Sequence, residues 1–261
     1  MRLLAFVVAL LTAAGTPALA GTVITSEIST PKISGKLVTF IETGRLRIET
    51  PSQVSIFRVD QNTVYLLSPG ERKFRRMTAE RMKQMAQMTA SMRGMLEAMS
   101  PEQRQRFDEH LSPSQRSLIE KMLAGRAHQF EYKDAGGTAS FGKWSCECVD
   151  ELEDDQPFAS LCVARISDLG LSEEDVGMLR RLAEFMRQGL PEGWHTSPAT
   201  DPQAIEKAVG YPAYPVHMEI PIVEMRTTIE TVQKASLGVG LFEIPADYQE
   251  EESMPPLAGP R

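Results

Sequence analysis

MTAERMKQMAQMTASMRGMLEAMSPEQRQRFDEHLSPSQRSLIEKMLAG, residues 77–125, is the stretch whose reading decides the fold, because it is helical between segments that read as β-strand. Seven of the chain's 14 methionines lie between Met77 and Met99. Met82, Met85, Met88, Met92, Met95 and Met99 recur at gaps of three and four, which places them on one side of a helix. Methionine is unbranched and polarizable, so a stripe of thioethers suits a surface that adapts to several apolar shapes. Two readings stand side by side: a flexible lid over an apolar groove, or the ordinary core face of an amphipathic helix. Two further helix starts follow, Ser100-Pro101-Glu102-Gln103 and Ser112-Pro113-Ser114-Gln115, each with an N-cap serine, a proline at the first position and a glutamine at the third. Phe107 and Leu111 share a face of the first, and Leu118, Ile119, Met122 and Leu123 a face of the second. These helical pieces form an insert over residues 78–125 and supply the candidate lid.

Before the insert the chain reads as an antiparallel meander. Arg45-Leu46-Arg47-Ile48-Glu49 alternates polar and apolar residues as a half-buried strand does. Turn signals at Glu42-Thr43-Gly44, Asp60-Gln61-Asn62 and Pro69-Gly70 separate strands at Leu37–Ile41, Val54–Val59, Val64–Leu67 and Phe74–Met77. Ser55-Ile56-Phe57-Arg58 breaks the alternation, which implies a bulge or a strand buried on both sides. After the insert, Thr138–Asp150 and Phe158–Ile166 return to strand. Ser172 then caps a helix that opens on Glu173, Glu174 and Asp175, favoured by the helix dipole, and whose apolar face carries Val176, Leu179, Leu182, Ala183 and Met186. Gly189 to Pro212 reads as a loop, Val223 to Val232 as a strongly alternating strand, and Leu241–Pro245 as a closing strand. The acidic, proline-rich residues 249–261 read as a disordered tail.

The N-terminus suggests the compartment. Arg2, an apolar run from Leu3 to Ala14 and Ala18-Leu19-Ala20 make a secretory signal peptide, residues 1–20, with an apolar core too short to span a bilayer. A soluble periplasmic product beginning at Gly21, without a transmembrane anchor, is expected. The formal charge of −7 argues against nonspecific nucleic-acid binding. Three cysteines in an exported chain imply one disulfide and one thiol. If the hairpin folds about Asp155, Cys148 lies opposite Cys162, with Cys146–Cys162 as the competing bridge.

Catalytic signatures are lacking. His110, His128, His195 and His217 are scattered without metal-ligand spacing, and there is no Gly-x-Ser-x-Gly elbow or phosphate-binding glycine loop. A non-enzymatic protein without a cofactor or structural metal is expected. Met82-x-x-Met85-x-x-Met88 has a spacing that soft Cu(I) accepts, which keeps a copper-binding reading open. Arg72, Lys73, Arg75, Arg76, Arg81 and Lys83 keep open a third reading, an envelope protein-interaction module facing an acidic partner or anionic headgroups.

The order of elements also carries a resemblance. Gly44-Arg45-Leu46-Arg47-Ile48-Glu49, Val64-Tyr65-Leu66-Leu67-Ser68-Pro69, the Gly142 to Cys146 strand, Tyr214-Pro215-Val216 and Leu241-Phe242-Glu243-Ile244-Pro245-Ala246-Asp247-Tyr248 resemble a bacterial periplasmic family of unknown function within the outer-membrane lipoprotein carrier (LolA/LolB-like) superfamily. Asp247 stands where such families carry glycine, and Cys162 where an aromatic is common. The resemblance spans most of residues 23–248 and implies an α+β fold, one carrier-like domain over residues 21–248. A curved antiparallel half-barrel would carry helices on its concave face. Relatives of that shape hold acyl chains between sheet and lid. The candidate ligand contacts are then Met82, Met85, Met88, Met92, Met95, Met99, Phe107, Leu111, Leu118 and Met122, and the partner a hydrophobic ligand such as a lipid or acyl chain.

Overall fold

Alternating apolar residues and short polar turns from Ala20 to Thr78 fold as six consecutive antiparallel strands. These are β1 (Ala20–Ser29), β2 (Ser34–Glu42), β3 (Arg45–Glu49), β4 (Val54–Arg58), β5 (Thr63–Ser68) and β6 (Lys73–Thr78). The computed structural model describes residues 20–109, 111, 130–189 and 202–251. Most of the expected signal peptide, and Leu118 and Met122 among the candidate contacts, lie outside the described residues. Ala20 already pairs with Ser236.

The chain then forms α1 (Ala79–Glu97) and α2 (Pro101–Glu109). Three more strands follow, β7 (Phe130–Phe141), β8 (Trp144–Glu153) and β9 (Gln156–Arg165). Next come the short α3 (Ile166–Leu169), α4 (Glu173–Arg187), α5 (Pro202–Val209), β10 (Ala213–Ile220), β11 (Met225–Ser236) and β12 (Gln249–Glu250). Among the described residues all twelve strands join one sheet in the order β12-β6-β5-β4-β3-β2-β1-β11-β10-β9-β8-β7, antiparallel except for the β12–β6 pair. The two ends of that order are not joined to each other, so the described sheet is open.

Both faces of the sheet are covered at β4. In β4, Phe57 joins the largest core cluster and Ile56 a separate one, and both are buried. The register to β3 and β5 runs through without a shift, so this is a strand buried on two sides and not a bulge. The Phe57 side meets α4, where the Phe57 and Phe185 rings lie 5.5 Å apart. The Ile56 side is covered by the segment after β11, whose Leu237 and Phe242 are buried against Val54 and Leu67. Arg47 donates to the Leu241 carbonyl at 2.9 Å and anchors that segment. The residues expected to close the sheet as a strand instead make a 3-10 turn at Val239–Phe242. A helical turn lets the buried Phe242 reach down into the core, which an extended edge strand would not.

Residues expected as one strand, 138–150, divide at Gly142-Lys143 into β7 and β8. Gly142 takes a left-handed φ of 59°, the conformation glycine adopts at least cost. Gly136-Gly137 forms a bulge inside β7, where the Asp134 side chain accepts from the Gly136 amide at 2.8 Å. Asp154 and Asp155, both at positive φ, turn β8 into β9. From Glu153↔Gln156 a strict register would bring Leu161 opposite Cys148. A bulge at Phe158 shifts it by one, and Cys148 faces Cys162 in a disulfide. Cys146, two residues earlier on the same strand, is the free and buried thiol. Burial pushes its pKa up, which keeps it protonated and unreactive.

Gln249 and Glu250, expected in the disordered tail, pair with Lys73 and Phe74 of β6. The Gln249 amide donates to Arg72 O at 2.9 Å and the Glu251 amide to Phe74 O at 2.8 Å. Charge fixes the segment as well: Arg75 contacts Glu251 at 2.5 Å and Arg76 contacts Glu250 at 3.3 Å. The composition is that of a tail, but opposite charges on an open strand edge order its first residues.

The disulfide closes a loop with a sequence separation of 14, so the Cys148→Ser/Cys162→Ser double variant should lose about 3 kcal/mol of stability in urea unfolding. In the native protein a thiol reagent should leave Cys146 unlabelled until denaturant is added.

Candidate functional site

A row of small and polar side chains crosses one face of the central strands. Ser26 of β1 pairs with Leu37 of β2 and Ile229 of β11, Thr39 pairs with Ile24, and Thr227 pairs with Ile28. Thr39 and Thr227 are therefore diagonal neighbours of Ser26 on the same face. Above them runs α4, which turns Leu179, Leu182, Ala183 and Met186 toward the sheet. Between helix and sheet is a cavity of about 340 Å³. Its remaining walls are Ile48 of β3, Ile205 of α5, Tyr214, Pro215 and Met218 of β10, and Leu37 and Ile229. No charged side chain lines it among the described residues. A volume of this order falls at the lower end of natural small-molecule sites.

The sequence explains why α4 stands where it does. Ser172 and Asp175 form a reciprocal capping box: the Ser172 hydroxyl accepts from the Asp175 amide at 3.1 Å, and the Asp175 carboxylate accepts from the Ser172 amide at 2.7 Å. The same carboxylate also accepts from the Thr22 hydroxyl and from Lys234 Nζ, each at 2.7 Å. Thr22 and Lys234 are direct partners across β1 and β11. One buried carboxylate therefore joins the start of α4 to the middle of the sheet. Burial alone would raise the Asp175 pKa, but the donors from Lys234, Ser172 and Thr22 outweigh it and hold the carboxyl below its ordinary range. Thr43 donates to Glu174 at 2.6 Å and ties the β2–β3 turn to the same helix end. At the other end Phe185 packs on Phe57, and Met82 of α1 lies so close to Gly189 that a β-carbon there would sit 2.4 Å from its methyl group. Arg180 forms an ion pair with Glu206 and connects α4 to α5.

The methionine stripe is placed elsewhere. Met85, Met88 and Met95 are 37%, 57% and 55% exposed, Met92 and Met99 are half-buried, and none of them lines the cavity. Phe107 and Leu111 are half-buried and do not line it either. Helix α1 faces the protein with Met82, Ala86, Thr89, Arg93 and Leu96, all buried or half-buried at gaps of four and three. At roughly 100° per residue that inner stripe is rotated about a quarter-turn from the other methionines. Met82 alone reaches the core, which splits the Met82-x-x-Met85-x-x-Met88 triplet. The cover over this cavity is therefore α4, whose apolar face is legible in the sequence although its role is not.

Helix α5 was not anticipated, since residues 189–212 read as loop. Its Ile205 is buried in the cavity wall. The signal was present: Pro202 stands at the first helical position, and Gly210, at φ 78°, donates to Glu206 O at 2.8 Å and closes the last turn. The basic cluster around β6 is engaged by Asp247, Glu250 and Glu251. Among the described residues there is no grouping of His, Cys, Asp or Glu able to hold a metal, and no helix is long and apolar enough to cross a membrane.

No family model matches the chain, and no curated protein matches it. Solved structures of PNGF-II in the C2 and P21 space groups are similar over 89% of this chain, at 8% and 7% identity and a TM-score of 0.36. The chain spans 31% of the length of each.

Replacing Asp175 by Ala removes the carboxylate half of the capping box and two tertiary bonds and should cost about 1–3 kcal/mol, read by urea unfolding. Because the folded carboxyl titrates below its ordinary range, its contribution is full above the unfolded-state value. It is lost as pH falls through the folded one, so wild type and Asp175→Ala should converge in stability at the acid end of a pH series.

Proposed function

We propose that the protein is a non-enzymatic, exported carrier or sensor that holds one apolar chain, such as a lipid acyl chain, in the cavity beneath α4. The observation that carries this reading is the cavity itself: an uncharged hollow of about 340 Å³ under an amphipathic helix fixed at both ends. The disulfide fits an oxidising compartment, and the signal-peptide pattern fits export to the periplasm. In this reading the sheet is the carrier-like half-barrel of the resembled superfamily, with α4 and α5 in the role of its covering helices.

The driving force is transfer of hydrocarbon from water, about 0.8 kcal/mol for each CH₂ buried. A chain of about ten carbons then gains roughly 8 kcal/mol gross, of which association and ordering consume a large part. Micromolar affinity is a reasonable outcome. Met186, 44% exposed at the end of α4, marks the way in. Its unbranched thioether can swing aside without disturbing the helix.

Lipid extraction and mass spectrometry of the purified protein, followed by titration of the delipidated protein with a fluorescent acyl chain, test the proposal. Ala183→Trp puts an indole into the hollow and should weaken binding at least about tenfold, whereas Met85→Leu and Met88→Leu on α1 should leave it unchanged. Binding that responds to the α1 substitutions and ignores Ala183→Trp would overturn the assignment. Absence of any saturable binding would overturn the function.

A further inference from the structure

The floor of the cavity carries four hydroxyl groups, from Ser26, Thr39, Thr227 and Tyr214. Ser26 and Thr39 are 6% and 4% exposed. Among the described residues none of the four makes a side-chain hydrogen bond, and none belongs to the buried polar atoms sealed off without a partner. Their oxygens are therefore reached from the hollow, by water or by an occupant. Covering such hydroxyls with a group that cannot hydrogen-bond is costly, and β-strand positions of this kind accept valine readily. Three such residues in a diagonal row across β2, β1 and β11 are a strip of neutral donors and acceptors let into an apolar surface.

Building on the proposed function, we infer that the cavity is built for a chain ending in an uncharged hydrogen-bonding group, an ester, amide or alcohol, and discriminates against an ionised carboxylate. A hydroxyl both donates and accepts, so it serves a carbonyl oxygen and a hydroxyl group equally. It supplies no counter-charge, and among the described residues no Lys, Arg or His lines the site. An ionised head drawn in beside Ser26 would lose its hydration without gaining an opposite charge. Tyr214 fits the same picture, because burial pushes its pKa up to about 12 and keeps it a neutral donor at any physiological pH. A plain hydrocarbon is disfavoured for the complementary reason: it covers the hydroxyl row and satisfies none of it.

The test is displacement of the neutral dye N-phenyl-1-naphthylamine from the delipidated protein at pH 8 by four ligands of equal chain length: 1-monolaurin, methyl laurate, laurate and dodecane. The expected result is displacement by the monoglyceride and the methyl ester at concentrations about tenfold lower than by laurate or dodecane, the yield of two modest hydrogen bonds. In Ser26→Ala/Thr39→Val/Thr227→Val, chosen for near-isosteric fit, the dye should still bind, and dodecane and the ester should come within about threefold of each other. Laurate matching its ester in the wild type, or a preference that survives the triple variant, overturns the inference and leaves the acyl-chain reading standing. Failure of the dye and all four ligands to bind overturns both.

Discussion

A single carboxylate sets the architecture around the cavity. Asp175 is the third-position member of the α4 capping box and also the point where Thr22 and Lys234, paired across two strands, meet that helix. Its charge is never left without donors: the Ser172 amide and hydroxyl, the Thr22 hydroxyl and the Lys234 ammonium surround it. A buried charge so supplied is far less costly than an isolated one, and its bonds are directional where apolar contact is not. At the opposite end the constraint is packing, with Phe185 on Phe57 and Met82 against Gly189. A helix held by its two ends can span a gap. Voids in well-packed proteins cost roughly 20–25 cal/mol per Å³, so an apolar hollow as large as this one closes unless something holds its walls apart. The polar clamp and the aromatic pair do so.

The division of labour between the sheet's two faces follows from strand parity. Ile56 and Phe57 are neighbours in sequence and lie in different cores. On β9 the alternation repeats, with Leu161 and Val163 packed with Ile205 of α5, and Cys162 and Ala164 in the cluster that contains Trp144 and Cys146. These two strands thus contribute to two layers at once, and a one-residue slip would exchange them. The bulge at Phe158 shows how local that specification is. It realigns β8 on β9, and without it the disulfide could not form between Cys148 and Cys162.

Much of this was legible in the residues. Five strands between Ser34 and Thr78 announce themselves by alternation and turn chemistry, and α4 by its capping box and acidic first turn. The disulfide was found from the position of the turn, although the bulge that makes it possible has no signature in Gln156-Pro157-Phe158. The site was half legible. Leu179, Leu182, Ala183 and Met186 form a readable apolar face, but nothing local tells which part of the sheet they meet. The methionines of α1 do not line this cavity, because periodicity reports a face and not a direction. The face turned inward carries Ala86, Thr89 and Arg93, which no hydropathy pattern would select, and it is chosen by the long-range packing of Met82. Ile205 was hidden in a proline-rich stretch, and Gln249–Glu251 in a composition typical of disorder. In both cases a partner distant in sequence, α4 for one and β6 for the other, supplied the order.

The parallel pairing of Gln249 and Glu250 with β6 has a kinetic side. Until the segment beyond Ser236 has arrived, β6 presents bare carbonyls at Arg72 and Phe74, beside arginines that no acid has yet neutralised. An open strand edge is a template for any passing chain. A partly synthesised or truncated polypeptide is therefore adhesive on that flank, and the finished one is sealed by its own closing residues.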